Sequence, residues 1–332
     1  MRDVAALAGV SGKTVSRVIN DEAYVSDDVR ARVLEAVAAL GYIPNMVSQA
    51  FRSGRDRAIG IVVPDLSDPF FAAVVQAAAG AAADAGLAVL VSTAGDDPAR
   101  EQQVVESLIR RRLSGLLLAS VADDHRYLRA SIDEMPVVFV DRPACSLTAD
   151  SVMEDDRGGA VAATGLLIDH GHRRIAAVGA DRTVPTIERR WAGYQVALEN
   201  AGVPVDADLL HLTSRPADTL PGFLDAVLDG VDPITAVFVL DSATAMHVVA
   251  QLHQRRRTDL AVVSFGDFPM AALLQPSVTA VDQAPDTLGR TATERLLVRL
   301  DRPRARLRRA VVLPVTLIER QSTVPPATRR LR

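Results

Sequence analysis

The first residues of the chain carry apolar side chains at helical spacing, in short stretches separated by polar turns. Residues 3–8 predict a first helix, and Gly9 suits the left-handed position that ends a helix. Ser11 suits the cap of a second helix over residues 14–20. In that helix Val15, Val18 and Ile19 share one apolar face.

A third, longer helix is predicted to start after Ser26 and to end at Gly41. Asp27 and Asp28 fall in its first turn, where the helix dipole favours acidic side chains. Its inner face is expected to carry Val29, Val33, Val37 and Leu40. Two short helices joined by a glycine turn, with a third packed behind, indicate a helix-turn-helix module. A small helical cap on an enzyme would show the same pattern.

From Ala58 onward, short apolar runs alternate with amphipathic stretches of helical period. Strands are predicted near residues 59–63, 87–91, 115–119, 137–140, 175–178, 236–240, 261–265 and 278–281. Helices are predicted near residues 69–85, 98–111, 125–132, 159–170, 188–201, 217–228 and 243–254. Continuous β-branched runs alternating with helices indicate parallel sheets covered on both faces. Two such series predict two doubly wound subdomains, with pocket residues at the carboxyl ends of the strands.

The composition fits this organisation and excludes other classes of protein. The chain has 332 residues, of which 48% are apolar and 23% charged, as in globular proteins of about two domains. Every apolar run is interrupted well before the ~20 residues of a membrane span, and no secretion signal opens the chain. A single cysteine, Cys145, excludes an intrachain disulfide. We therefore expect a cytoplasmic protein with no membrane partner.

The charge distribution favours DNA binding by the helical module. The whole chain has a net charge of −4, but residues 1–57 hold eight basic and seven acidic side chains. The exposed face of the second helix is expected to show side chains of the kinds that contact phosphates and base edges. These are Lys13, Thr14, Ser16, Arg17 and Asn20.

Four runs of residues in this segment follow a known sequence pattern. They are Arg2-Asp3-Val4-Ala5-Ala6-Leu7-Ala8-Gly9-Val10-Ser11, Thr14-Val15-Ser16-Arg17-Val18-Ile19-Asn20, Tyr24-Val25-Ser26 and Gly41-Tyr42-Ile43-Pro44-Asn45. The pattern resembles the lactose-repressor (LacI/GalR) family of bacterial transcription regulators, and the resemblance continues over about residues 1–325. It implies that the second helix lies in the major groove and that a homodimer binds a pseudopalindromic operator. The DNA contacts are then expected at Lys13, Thr14, Ser16, Arg17, Asn20, Tyr24, Ser26, Asn45, Ser48 and Phe51.

The resemblance also divides the chain. It implies a helix-turn-helix domain at residues 1–44, a hinge helix and linker at 45–57, an effector-binding domain at 58–325 and a tail at 326–332. Phe51 would be the apolar wedge that enters the minor groove, although it could instead pack against the body of the protein. The tail has no leucine heptad, which favours a dimer over a tetramer.

The larger domain resembles the periplasmic sugar-binding-protein fold. The chain should then cross between two subdomains near Arg157, Gln283 and Leu313. The N-subdomain would comprise residues 58–156 and 285–311, and the C-subdomain residues 158–281 and 315–325. A small polar effector, a sugar or a related metabolite, is expected in the cleft between them. Its contacts would be Asp68, Phe70, Phe71, Asp141, Arg142, Arg190, Asp241 and Gln283.

The effector is harder to predict than its site. Arg142 and Arg190 favour a ligand with an anionic or strongly accepting edge, because guanidinium donates in a fixed fork. Asp241-Ser242 stands where the family usually has Asn-Asp, and Gly266 stands where it usually has an Asp that binds sugar hydroxyls or a purine. We therefore expect that part of the site to be roomier and less selective for sugars. Phe70 or Phe71 would stack on the ligand or serve in the core.

The sequence carries no catalytic or cofactor motif. It lacks a Ser-His-Asp spacing, a zinc-protease motif and a glycine-rich phosphate loop. His170 and His172 are expected to diverge, so no metal is predicted, and Cys145 is expected to be a structural thiol. We predict a regulator without cofactor or enzymatic activity. The alternative is a small-molecule-binding protein without operator specificity, which Gly12 supports, because the family often carries a base-reading side chain there.

Overall fold

The computed structural model describes residues 1–19, 24–42 and 56–323, with side chains from Ala58 onward in the last range. The chain forms two compact units that divide between Asp56 and Arg57. The predicted hinge positions Asn45, Ser48 and Phe51 lie outside the described residues, as do Asn20 and the tail at 326–332.

The first unit consists of three helices, α1 (Arg2–Ala8), α2 (Gly12–Ile19) and α3 (Asp27–Ala39). The predicted turn is confirmed, because Gly9 adopts the left-handed conformation with φ 64° and ψ 37°. The predicted cap is also confirmed, since Ser11 Oγ accepts a hydrogen bond from the Thr14 N–H at 3.1 Å. Ser26 occupies the N-cap position of α3, but its side chain makes no capping bond.

The core of this unit is small. Val4, Val15 and Val33 are fully buried at its centre. Two predictions about it are wrong. Leu40 is 47% exposed, because it follows the last turn of α3. Ser16 is buried rather than on the exposed face, because α2 packs against both α1 and α3 and its buried face is correspondingly wide.

The second unit contains two sheets of six strands each, flanked by helices. The first sheet has the order β11-β5-β4-β3-β1-β2 and the second the order β12-β10-β9-β8-β6-β7. The strands of the first sheet are β1 (Asp56–Val63), β2 (Ala88–Thr93), β3 (Leu113–Leu118), β4 (Val137–Val140), β5 (Asp150–Glu154) and β11 (Ala310–Leu313). Those of the second are β6 (Ile175–Gly179), β7 (Leu210–Leu212), β8 (Ala236–Val239), β9 (Ala261–Phe265), β10 (Thr279–Asp282) and β12 (Thr316–Ile318).

Seven helices cover these sheets. They are α4 (Pro69–Asp84), α5 (Pro98–Arg110), α6 (Asp156–Asp169), α7 (Pro185–Asn200), α8 (Pro216–Leu228), α9 (Ser242–Gln254) and α10 (Pro285–Asp301). Single 3₁₀ turns lie at Arg126–Leu128, Ala207–Leu209 and Gln321–Thr323; the first replaces the longer helix predicted there.

The predicted strands and main helices are present within a few residues of their expected positions. The pattern missed β5, β7, β11, β12 and α10. The strand β5 reads Asp-Ser-Val-Met-Glu and lacks a continuous apolar run, and β7, β11 and β12 are short and only partly buried. Most strand pairs are parallel, as predicted, but β12 pairs antiparallel with β10 at the edge of the second sheet.

Each sheet is buried on both faces, which explains the uninterrupted apolar strands. Ile61 of β1 packs towards α4 and α10, whereas its neighbour Val62 packs towards α5 on the opposite face. The chain passes between the sheets three times, after β5, after β10 and between β11 and β12. We call the two halves the first and second subdomains. Throughout the described ranges, no helix has the length and apolar character needed to cross a membrane.

Candidate ligand cleft and DNA-binding face

A cleft of about 850 Å³, partly open to solvent, lies where strands of both sheets end. Loops after β1, β2 and β4 form one wall, and residues after β6, β8 and β10 contribute to the other. The structure brings together all eight residues expected to contact an effector. Asp68, Phe70, Phe71, Asp141, Arg142, Arg190, Asp241 and Gln283 all line this cleft.

Asp68 connects the two walls. Its carboxylate caps α4 by accepting from the Phe70 N–H at 2.9 Å, and it also accepts from Ser242 Oγ in the other subdomain at 3.4 Å. Burial raises the pKa of Asp68, and the neighbouring carboxylates Asp241 and Asp141 raise it further. The Asp68 carboxyl group, whose pKa is raised, therefore takes part in a polar contact between the two subdomains.

Phe70 and Phe71 serve the core as well as the cleft. Their rings pack edge to face with centroids 5.1 Å apart, and they are only 8% and 7% exposed. Both belong to the apolar cluster between α4 and the first sheet. Either can present little more than a ring edge to a ligand.

Asp141 and Arg142 follow β4 in a constrained turn. Asp141 has φ 68°, a left-handed conformation that an Asp tolerates better than most residues. The Arg142 Nε lies 3.3 Å from the Asp141 carboxylate, and its Nη1 donates to the Ser120 carbonyl at 2.9 Å. These contacts hold the guanidinium at the cleft wall.

Behind Ser120 lies a serine–histidine–carboxylate cluster that the sequence spacing did not reveal. Ser120 Oγ is 2.7 Å from His125 Nε2 and donates to Glu101 at 2.8 Å. All three side chains are buried, with at most 2% exposure. Because the serine proton is committed to the carboxylate and no substrate can reach it, the arrangement supports the loop that holds Arg142 and is unsuited to nucleophilic catalysis.

Arg190 is the centre of a buried charge cluster. It projects from α7, where its Nε donates to Asp156 at 2.7 Å and its Nη1 to the Leu240 carbonyl at 2.8 Å. Its guanidinium lies over the Phe265 ring at 4.0 Å. Arg189 donates to the other Asp156 oxygen at 2.8 Å. Two of the five N–H donors of Arg190 are thus bonded within the fold, and Asp156 compensates its charge.

Glu154, at the end of β5, joins this cluster to the crossover segment. Its Oε1 accepts from Gln283 Nε2 at 2.7 Å, while Oε2 receives no hydrogen bond from the residues that the structure describes. Burial raises the pKa of Glu154 well above its usual value, and the charges of Asp141 and Asp156 add to the shift. The Arg190 guanidinium, 3.7 Å from Glu154 Oε1, opposes this shift.

Asp241 mainly organises the second wall. Its carboxylate caps α9 through the Thr244 N–H at 2.7 Å and also accepts from Thr244 Oγ1 at 2.9 Å. It accepts from the Ala180 N–H at 3.1 Å as well, which ties the ends of β6 and β8 together. These three bonds leave little acceptor capacity for a ligand.

The expectation of extra room at Gly266 is wrong. Gly266 has φ +95°, and a Cβ built there would lie 2.8 Å from Gln283 Oε1 and 3.0 Å from Ser242 Cβ. Those two side chains occupy the space that an Asp would need. The side chains of Gln283 and Ser242 therefore fill the space beside Gly266.

The expectation of an anionic ligand is also not supported by the geometry. Five carboxylates line the cleft beside two arginines, and Arg190 is neutralised by Asp156. A further negative charge would be repelled by this set. The lining carboxylates are Asp65, Asp68, Asp96, Asp141 and Asp241.

Sequence reasoning missed several cleft residues. Asp65 and Asp96 directly follow the first two strands, so the rule that polar residues after parallel strands form pockets could have found them. Glu154 and Asp156 were missed because β5 was missed. Ser242 was noted only as a departure from the family pattern. Among the described residues no group of His, Cys, Asp or Glu side chains is arranged to hold a metal ion.

In the helical unit, the predicted DNA-contacting residues differ in exposure. Lys13 is exposed, and Thr14 and Arg17 are partly buried. Tyr24 is 93% exposed, and Ser26 is exposed at the amino end of α3. A wholly exposed Tyr and an open helix N-terminus are suited to phosphate contact.

Comparison with known proteins agrees with both units. Residues 1–45 match the family model described as bacterial regulatory proteins, lacI family, and residues 164–323 match the periplasmic binding protein-like domain. The ribose operon repressor of Haemophilus influenzae is 31% identical over 326 residues, covering 96% of this chain and 97% of that protein.

Two solved structures extend the comparison. The complex of the transcriptional regulator CelR with cellobiose has a TM-score of 0.71 at 29% identity, covering 96% of this chain and 98% of the other. The lac repressor dimer bound to operator and the anti-inducer ONPF has a TM-score of 0.83 at 25% identity, covering 97% and 98%.

A helix-turn-helix unit followed by a two-subdomain binding-protein fold defines a DNA-binding regulator with a ligand cleft. The chain belongs to the lacI family of bacterial regulatory proteins, as its sequence motifs predicted. That family is one of transcription regulators, not of enzymes.

Proposed function

We propose that this regulator is a dimeric repressor whose effector is a neutral polyhydroxy compound bound in the cleft. The observation that carries this proposal is the surplus of carboxylates over available guanidinium groups at the lining. Carboxylates accept hydrogen bonds from hydroxyl groups, which suits a sugar, and they repel an anionic ligand.

The names of the relatives agree with this class of ligand. One is a ribose operon repressor, and one solved structure is a complex with cellobiose. Asp68, Asp141, Arg142 and Ser242 retain hydrogen-bonding capacity towards the cleft, and we assign them direct contacts. Arg190, Asp241 and Gln283 are largely bonded within the fold, and we assign them the role of holding the site in shape.

A thermal-shift screen tests the effector class. Neutral aldoses and their phosphate esters are added to the wild type, and the rise in melting temperature is compared. We expect neutral sugars to stabilise the protein and their phosphates to bind at least about tenfold more weakly, a difference of about 1.4 kcal/mol. A phosphate ester that binds more tightly than its parent sugar would contradict the proposal.

Matched aspartate variants control for lost helix capping. Asp68 and Asp97 each cap a helix that starts with proline, but Asp97 does not line the cleft. Asp68→Asn should weaken sugar binding, whereas Asp97→Asn should leave it unchanged. Equal effects of the two substitutions would remove Asp68 from the ligand contacts.

For the helical unit, we assign base contacts to Lys13 and Arg17 and phosphate contacts to Thr14, Tyr24 and Ser26. A mobility-shift titration on DNA upstream of the gene tests this. Arg17→Ala should weaken specific binding about 5–150-fold, the value of one bidentate base contact. If the wild type binds this DNA no better than a random sequence, the chain is a ligand-binding protein without operator specificity, the function that Gly12 favours. The effector should change the operator affinity, because it must bind the two states unequally.

A further inference from the structure

The first sheet has ends of opposite charge. Its parallel strands β11, β5, β4 and β3 point the same way, as do β1 and β2. The Ala119 N–H, just after β3, donates to the Val62 carbonyl near the end of β1, so the carboxyl ends of all six strands lie along one edge. The loops after β1, β2 and β4 at this edge form one wall of the cleft, and the loops of the whole edge are acidic. They carry Asp65, Asp68, Asp96, Asp97, Asp123, Asp124, Asp141 and Asp155, against Arg126 and Arg142.

The opposite, amino edge of the same sheet is rich in arginine. Seven exposed arginines stand just before β3 and β11, against four exposed acidic residues along the same edge. The arginines are Arg111, Arg112, Arg302, Arg304, Arg306, Arg308 and Arg309. The acidic residues are Asp84, Asp133, Glu134 and Asp301.

The loop of residues 302–309 is fixed rather than loosely attached. Arg299, at the end of α10, donates to the carbonyls of Pro303 and Ala305 at 3.2 and 2.8 Å. The same guanidinium forms two hydrogen bonds, at 2.6 and 3.0 Å, with the buried carboxylate of Asp150 in β5. A loop held in this way presents its outward side chains at low entropic cost.

The central arginines of this loop, Arg304, Arg306 and Arg308, are exposed. No hydrogen bond or ion pair links Arg304, Arg306 or Arg308 to another described residue. Arg302 pairs with Asp301 at 3.3 Å, and Arg309 lies 3.7 Å from Asp150. In a chain with a net charge of −4, a concentration of such arginines on one edge is suited to a polyanion.

Chain connectivity indicates which polyanion is in reach. The amino edge contains the start of β1, where the chain arrives from the helical unit through residues 43–55. Those 13 residues span at most about 45 Å, and β11 is four strands from β1, or about 20 Å. A duplex held by the helical unit is therefore within reach of this edge.

We propose that the amino edge of the first sheet is a second DNA-binding surface, whose arginines bind the phosphates of duplex flanking the operator. This inference rests on DNA binding by the helical unit. It adds a sequence-independent contribution from the larger unit, whose strength depends on salt and on the length of the duplex.

The test compares two pairs of exposed arginines. The variant R306Q/R308Q removes two charges from the amino edge, and R215Q/R256Q removes two exposed charges from the second subdomain. R306K/R308K retains the charge. Affinity is measured between about 50 and 200 mM salt on duplexes about two and about six helical turns long. A random-sequence duplex of about six helical turns is the third DNA measured.

On the long duplex, R306Q/R308Q should reduce the slope of log affinity against log salt by about 1 for each phosphate that the variant no longer binds. The affinity gained on lowering the salt from about 200 to 50 mM should fall about threefold for each such phosphate. R215Q/R256Q and R306K/R308K should behave like the wild type, and the short duplex should show no difference.

Equal behaviour of R306Q/R308Q and R215Q/R256Q on long DNA would overturn the proposal and favour an acidic protein as the partner of this edge. An equal loss of affinity on the short and long duplexes would also overturn it, because the variant would then be acting through the protein. The random-sequence arm separates this inference from operator recognition. A wild type without operator preference would contradict the proposed function, while the loss of affinity on random DNA would still decide whether the edge binds phosphates.

Discussion

The helical unit and the cleft use their polar side chains in opposite ways. In the helical unit, Lys13 and Tyr24 are exposed, and the small core beneath them is apolar. In the cleft, Asp141, Arg190 and Gln283 are 3–4% exposed. Each of them forms a hydrogen bond or ion pair with another residue of the fold. The comparison teaches that DNA contacts can change with little effect on the fold, whereas cleft residues hold the two subdomains together and cannot be altered without a cost in stability.

The largest expected effect follows from removing the partner of Arg190. Asp156→Ala leaves a buried guanidinium with one carboxylate fewer, and breaking a buried pair in this way costs about 3–5 kcal/mol. Urea unfolding measures the change. Glu188→Ala, which breaks an exposed pair between α7 and Arg182 in the loop before it, should cost less than about 1 kcal/mol. Similar losses of stability in the two variants would show that the buried ion pair of Arg190 contributes no more to stability than an exposed pair.

A smaller effect is expected at Gly266. Alanine there must adopt φ near +95° and place its Cβ against Gln283 and Ser242, so Gly266→Ala should destabilise the protein by about 1–3 kcal/mol. Thermal unfolding checks it. Gly12→Ala is the matched change in the helical unit, where nothing lies within 4 Å of the added Cβ. It should stabilise α2 by up to about 1 kcal/mol. A Gly266 variant as stable as the wild type would contradict the crowded geometry.

The pH dependence of stability sharpens the contrast further. Burial raises the pKa of Glu154 above its usual 4.5, so the folded state binds this proton more tightly than the unfolded chain does. The resulting stabilisation is complete below pH 4.5 and is lost as the pH rises through the raised pKa. The stability of the wild type relative to Glu154→Gln should therefore fall with rising pH, by up to about 1.4 kcal/mol per pH unit. Chemical unfolding at several pH values measures it, and a constant difference would mean that Glu154 is ionised in the folded protein.

The smallest change in stability is expected for Lys13→Ala. Its side chain is exposed, so the free energy of unfolding should change by less than about 0.5 kcal/mol while operator binding weakens. Parallel melting and mobility-shift measurements check both parts. A large loss of stability would contradict the view that residues of the DNA-binding face, unlike those of the cleft, can change with little effect on the fold.

Much of the site was predictable where a local motif carried it. The helix-turn-helix, its Gly9 turn and its Ser11 cap depend on residues close in sequence, and the structure confirms them. The gathering of Asp68, Asp141, Arg190 and Gln283 at one cleft was also predicted, because the family resemblance located each residue and parallel strands place their carboxyl ends together. Ser16 and Leu40 were misjudged, since their burial depends on how wide a helix face its neighbours cover.

By itself, the sequence determined the family and the alternation of strands and helices, because these follow from short motifs and periodicity. The resemblance to the family then indicated the residues that meet at the cleft. Only the tertiary structure decided how those residues divide their hydrogen bonds. That Arg190 donates to Asp156, that Gly266 is crowded and that Gln283 donates to Glu154 depends on residues more than ten positions apart in the chain. Five of the seven arginines at the amino edge of the first sheet stand together in residues 302–309, but only the tertiary structure places this segment at the edge opposite the acidic loops, which come from distant parts of the chain.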